Sequence, residues 1–119
     1  MEDKIKNFKD LKIWQKSMEL AKAIYQATDA FPAKETYGII SQMRRSAVSA
    51  PSNIAEGFIR RHNKEYKQFL YIALGSLAEL ETQVLLSEEL GFLKKDKNKD
   101  IQADINELNK MTMSLIKCL

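Results

Sequence analysis

The segment Gln42–Gly57, QMRRSAVSAPSNIAEG, constrains the fold more than any other part of the chain. At about 100° per residue, Gln42, Ser49, Ser52, Asn53, Glu56 and Arg60 fall within about 80° of Arg45. Ile40, Met43, Ala47, Ala50, Ile54 and Phe58 fall on the other side. This is one long helix with a polar and an apolar face, and its period runs through Pro51. Proline removes the N–H that would bond the Ala47 carbonyl, so a kink is expected there. The small side chains of Ala47, Ser49, Ala50 and Ser52 would let another backbone approach closely, and Gly57 weakens the last turn.

The rest of the chain carries the same period. Asp10 is placed to cap a helix over about residues 10–29, with Leu11, Trp14, Met18, Ala21, Tyr25 and Thr28 as its stripe. Trp14 reads as a core anchor. Phe31 before Pro32 ends that helix. The second helix is expected over 34–60 and the third over 64–90, its apolar face (Tyr66, Phe69, Leu70, Ala73, Leu77, Leu80, Val84) widened by Leu74, Ala78 and Leu85. A face so wide contacts more than one neighbour. Gly91 closes this helix. Leu93–Asp100 reads as a charged connector, and a fourth helix is expected over 99–118. Only 4 glycines and 2 prolines in 119 residues leave little material for β-turns. The expectation is therefore one domain, 1–119, of all-α class: an antiparallel up-down four-helix bundle.

Charge is distributed unevenly. Residues 36–67 carry 6 basic and 2 acidic side chains; residues 68–93 carry none and 4. In an up-down bundle the turn after helix two, the start of helix one and the end of helix four share one pole. That pole gathers Lys4, Lys6, Lys9, Lys12, Arg60, Arg61, Lys64, Lys67, Lys110 and Lys117 against Glu2, Asp3, Asp10 and Glu65, and the molecule is expected to be electrically polar along its axis. Arg44 and Glu81 project into the apolar sectors of helices two and three at one height, so a buried or interface ion pair is expected between them.

Residues able to do chemistry are scarce. His62, the single histidine, has no second histidine and only Cys118 as a distant thiol, so metal-ligand spacing is absent and no cofactor is implied. There is no phosphate-binding glycine loop and no nucleophile elbow. Glu56 can pair with Arg60. The reading is a non-enzymatic binding protein. Without a signal peptide, a membrane-length apolar run or a second cysteine, the cytoplasm is the expected setting.

The stretches FKDLKIWQKSMELA, FPAKETYGIISQMRRSAVSAPSNIAEGF, FLYIALGSLAELET and LGFL resemble the bacterial four-helix-bundle proteins encoded within intervening sequences of 23S ribosomal RNA genes. Ser46 and Ala50 depart from that pattern, where alanine and isoleucine are usual. The resemblance implies a bundle that assembles as a homopentameric ring. It also implies kinship with the accessory variability protein of diversity-generating retroelements, a basic pentamer that partners a reverse transcriptase and RNA. It assigns no settled role. Two functions are thus expected to compete. One is binding of structured RNA or DNA through Lys9, Lys12, Arg60, Arg61, Lys64 and Lys67. The other is a homo-oligomeric scaffold for protein partners. Arg44, Arg45, Ser49, Pro51, Asn53, Glu56 and Glu81 are expected to be structural or interface residues.

Overall fold

Four α-helices follow one another in the computed structural model, which describes residues 5–119: α1 Lys12–Thr28, α2 Ile39–Arg60, α3 Asn63–Glu89 and α4 Lys95–Cys118. Each packs on its neighbour in the chain, and α4 closes the square against α1. The result is an all-α, antiparallel up-down bundle, 50 × 25 × 19 Å. Ile24 of α1, Met43 and Ile54 of α2, Leu70, Leu77, Leu80 and Val84 of α3, and Ile105 and Leu108 of α4 are fully buried. The core thus takes apolar side chains from all four helices at their 3.6-residue spacing.

Packing is tightest between α2 and α3. Ser49 and Ser76 hydroxyls meet at 2.7 Å across this seam. A Cβ on Gly57 would lie 2.7 Å from the Cβ of Phe69 and 3.2 Å from Cδ1 of Tyr66. The small residues of α2 therefore admit a close neighbour, and that neighbour is α3 of the same chain. Pro51 is buried, and α2 continues through it.

Three local features differ from the expectation. Asp10 lies in a 3-10 turn, Phe8–Asp10, capped by the Asn7 side chain, so it does not cap α1. Residues 33–38 contribute no buried side chain. Their backbone forms a 3-10 turn at Ala33–Glu35, and the Thr36 hydroxyl takes the Ala33 carbonyl at 2.7 Å. Such local bonds compete with helix, so α2 begins at Ile39, where burial begins. In the connector the reverse holds. Asn98 is buried and hydrogen-bonds Glu88 and Gln102, and Asp96 accepts from the Lys97 N–H at 2.9 Å. With that anchor, α4 starts at Lys95 rather than Lys99.

The α2–α3 turn is two residues long. Arg61 takes a left-handed conformation, φ 63°, and His62 is extended. The end of α3 is a Schellman closure: Gly91 at φ 81° donates to the Glu88 carbonyl, and Phe92 donates to that of Ser87. Among the described residues, α3 is the one helix long and apolar enough to cross a membrane by length and composition. Here its core face packs against α2 and α4.

The seam makes a prediction. Gly57→Ala gains up to about 1 kcal/mol of helix propensity. It also forces a methyl against a Cβ that cannot rotate away, an overpacking cost of about 1–3 kcal/mol. A net loss of stability is expected in urea titration, with an unchanged m-value.

Candidate nucleic-acid interface

The α2–α3 turn and the start of α1 lie at the same end of the bundle. Arg61 and Lys64 at the turn, and Lys9 and Lys12 beside α1, are exposed; Lys67 is half-buried. None of these five forms an ion pair among the described residues. They are an array of cations, with the acids Asp10 and Glu65 in the same sequence neighbourhood but in no direct ion pair with them among the described residues. Lys4, and the acids Glu2 and Asp3 beside it, lie outside the described residues.

Arg60 behaves differently. It pairs with Glu56 at 3.0 Å and Glu65 at 3.8 Å, and its guanidinium lies over the Phe69 ring at 5.0 Å. Two carboxylates already take its charge, so it is the member of the expected interface least available to a phosphate. Aromatic residues at this pole are also engaged. Phe8 packs edge-on to Trp14, and Phe58 edge-on to Tyr66. Burial pushes the Tyr66 phenol up to about 12, and among the described residues its hydroxyl has no partner. The arrangement favours contacts to phosphate over stacking on bases. Further along α1, Lys16 pairs with Glu107 of α4 at 3.0 Å, and that hydrogen bond raises its pKa.

The opposite pole is not simply acidic. Because α4 begins at Lys95, the cations Lys94, Lys95, Lys97 and Lys99 sit beside Glu88, Glu89, Asp96 and Asp100. The expected axial polarity is therefore weakened by a mixed-charge end.

The expected Arg44–Glu81 pair does not form. Arg44 turns to α1 instead. It donates to the Thr28 hydroxyl at 2.9 Å, to the Tyr25 carbonyl at 3.3 Å and to the Asp29 carboxylate at 2.9 Å, and it lies over the Tyr25 ring at 4.5 Å. The end of α1 offers a hydroxyl, a carboxylate, a carbonyl with a second lone pair and the negative end of its dipole, which together outcompete a lone carboxylate on α3. Glu81 is half-buried, and its backbone carbonyl accepts from Gln102 at 3.3 Å. Its carboxylate has no ion pair among the described residues.

The remaining α2 residues divide between two surfaces. Arg45 and Ser49 line a polar cleft shared with α3. Asn53 donates to the Ser49 hydroxyl and carbonyl at 3.0 and 2.8 Å. Pro51 belongs to an apolar groove of about 500 Å³ between α1 and α2, with Trp14, Met18, Tyr25 and Val48. Trp14 packs against the core from its edge, half-buried, with one side open to the groove. The over-wide apolar face expected of α3 emerges as an outer ridge, where Tyr71, Ile72, Leu85 and Leu86 are about half-exposed; the α1–α2 groove had no counterpart in the sequence expectation. A signal existed: Val48 and Ile59 lie within about 60° of Arg45, apolar residues on a polar face. Among the described residues no cluster of His, Cys, Asp or Glu could hold a metal ion.

The profile of the family described as 23S rRNA-intervening sequence protein matches residues 9–114. The chain belongs to this family. A solved structure from Bacteroides thetaiotaomicron, described as a protein of unknown function from the S23 ribosomal protein family, superposes with a TM-score of 0.79 at 26% identity. The match covers 88% of this chain and 98% of that one. No curated protein matches. Membership in the intervening-sequence family thus fixes the fold and names no enzymatic activity.

The Arg44 geometry gives a prediction. Arg44→Met should cost about 1–2 kcal/mol, since it removes a cation from the end of α1 and leaves the buried Thr28 hydroxyl oxygen without its donor. Asp29→Asn, at an exposed carboxylate, should cost less than about 1 kcal/mol. Glu81→Gln should change stability by no more than about 0.5 kcal/mol. Urea titration of the three variants checks the order.

Proposed function

We propose that this chain is a non-enzymatic, homo-oligomeric bundle that binds structured nucleic acid, RNA in the first instance, through its basic pole. The observation that carries the reading is the set of five cations, Lys9, Lys12, Arg61, Lys64 and Lys67, gathered at one end without ion-pair partners among the described residues. Such groups attract phosphate by charge and release counterions when they do so. Oligomerisation would repeat the patch, so that weak contacts add by avidity. The reducing cytoplasm is the setting this reading assumes.

Self-association in this proposal uses two different surfaces. The ridge of α3 (Tyr71, Ile72, Leu85, Leu86) carries the exposed acids Glu79 and Glu89 beside it. The α1–α2 groove carries Lys22 on its wall, and Arg45 stands beside Val48 at its edge. A ridge entering a groove of opposite charge is a head-to-tail contact, which closes into a ring when the rotation allows. Five copies is the number implied by the family resemblance.

The exposed apolar area supports a second reading, a scaffold that binds protein partners through the same groove, a reverse transcriptase being one candidate. Patches of this kind mark interaction surfaces in soluble proteins.

Two measurements test the proposal. Sedimentation of the wild type should give a species several times the 13.7 kDa protomer. Val48→Glu in the groove and Leu86→Glu on the ridge should each yield monomers. An equimolar mixture of the two should yield a dimer, because one intact ridge still meets one intact groove. A wild-type monomer at micromolar concentration refutes self-association, and a mixture that stays monomeric refutes the head-to-tail geometry.

For nucleic acid, Arg60 is the wrong residue to change, because a glutamate there would face Glu56 and Glu65. Arg61→Gly with Lys64→Gln is the better variant. It removes two free cations, and glycine relieves the left-handed backbone at position 61. Wild-type affinity for structured RNA should fall steeply with salt, by a log–log slope of about −0.9 per duplex phosphate contacted. The double variant should bind all sequences more weakly, with a slope shallower by about 2 and undiminished stability. No wild-type binding at about 50 mM salt, where such contacts are strongest, would leave the scaffold reading in first place.

A further inference from the structure

Gly75 stands exposed in the middle of α3. Glycine in a helix interior costs stability relative to alanine, so such a position asks for a reason. The other glycines of the chain each have one. A Cβ on Gly57 would collide with Phe69, a Cβ on Gly38 would meet the Glu35 carboxylate at 2.7 Å, and Gly91 has φ 81°. A Cβ on Gly75 would meet nothing within 4 Å. Nothing described inside the protomer requires a glycine there.

Gly75 lies on the outer ridge. Tyr71 and Ile72 stand one turn before it, Ala78 and Glu79 one turn after, and all four are exposed. The missing side chain leaves a hole in the ridge, floored by bare backbone. Val48, 42% exposed at the edge of the α1–α2 groove, has the complementary shape. It is compact, branched and stiff at χ1.

The heights of the two residues agree. The Ser49–Ser76 hydrogen bond puts that pair at one level of the bundle. Val48 and Gly75 are their sequence neighbours, so they lie within about 3 Å of a common height, on different faces. A ridge seated in a groove runs along it, and a ring that closes has no rise from copy to copy. Copies related in this way meet at equal heights, which sets Val48 of one copy against Gly75 of the next. Charge agrees with the same register. Arg45 lies four residues back from Ser49, and Glu79 three residues on from Ser76. Because α2 and α3 are antiparallel, both steps lead away from the basic pole, by about 6 and 4.5 Å. Neither Arg45 nor Glu79 has an ion pair among the described residues.

We infer that Val48 of one copy seats in the hole over Gly75 of the next copy and sets the register of the head-to-tail contact, with Arg45 falling beside Glu79. This rests on the head-to-tail reading and names the residues by which one copy recognises another.

The test is sedimentation over a concentration series for Gly75→Ala, Val48→Ala and the double variant. Gly75→Ala fills the hole with a methyl and should weaken association about tenfold or more. In the monomeric Leu86→Glu background the same change should raise the urea midpoint, because there it only improves the helix. Val48→Ala alone should also weaken association. Added to Gly75→Ala it should recover affinity, because a smaller knob fits a shallower hole. A wild-type monomer removes the head-to-tail reading and this inference with it. An assembled wild type whose association Gly75→Ala leaves unchanged or tightens overturns this inference alone, and the head-to-tail contact stands. A lower urea midpoint in the monomeric background would place the need for glycine inside the protomer and overturn it too. Losses that simply add in the double variant would overturn the pairing of Val48 with Gly75.

Discussion

The structure depends on how closely α2 and α3 approach. Gly57 sets the approach near the turn, where even a methyl would collide with Phe69. The Ser49–Ser76 hydrogen bond holds it further along. Two helices this close spend much of their adjoining surface on each other. What remains on α2 is a polar stripe, and what remains on α3 is an apolar outer ridge that nothing in the bundle covers. The polar cleft, the exposed ridge and the position of the two-residue turn all follow from that one seam. The turn fixes the basic pole: with only Arg61 and His62 between the helices, the cations at the end of α2 and the start of α3 cannot spread apart.

α2 was the most legible element. Its apolar positions Met43, Ala47, Ala50 and Ile54 are all buried, as a plain 3.6-residue count requires. Pro51 did not interrupt it, because its apolar neighbours hold the helix together around one missing hydrogen bond. The helix starts were less legible. At residues 33–38 the periodicity is weak, and the bonds that decide the backbone are local ones from Thr36 and Glu35. At Lys95–Lys99 the high charge concealed a helix, since one buried residue, Asn98, carries the anchoring and asparagine does not register in an apolar count.

Arg44 shows why a site is harder to read than a fold. Matching charges by height along two helices finds Glu81, because carboxylates are visible in a sequence. Backbone carbonyls at a helix end are not, although the last four lack the full helical pattern of partners and can take further donors. The end of α1 meets Arg44 with the Tyr25 carbonyl, the Thr28 hydroxyl and the Asp29 carboxylate together. Three acceptors in one place satisfy a five-donor guanidinium far better than one carboxylate across the bundle. The small residues of α2 misled in a related way. They announced a close neighbour correctly, but a sequence does not say whether that neighbour is the next helix or another chain.

The same logic bears on which surface the molecule has left over for others. Val48 stands on the polar side of α2 and Tyr25 on the open side of α1, both about two-fifths exposed. Between them Trp14, Met18 and Pro51 keep apolar surface that the core does not use. In a four-helix square each helix can bury only the sector facing its two neighbours, and an apolar arc wider than that sector must end up outside. α3 exceeds it on one side of the bundle, and the α1–α2 pair exceeds it on the other. Water penalises both surfaces in proportion to their apolar area. Under the proposed self-association a closed head-to-tail ring would bring a ridge to every groove, and so would relieve both at once without requiring any new residue in the sequence.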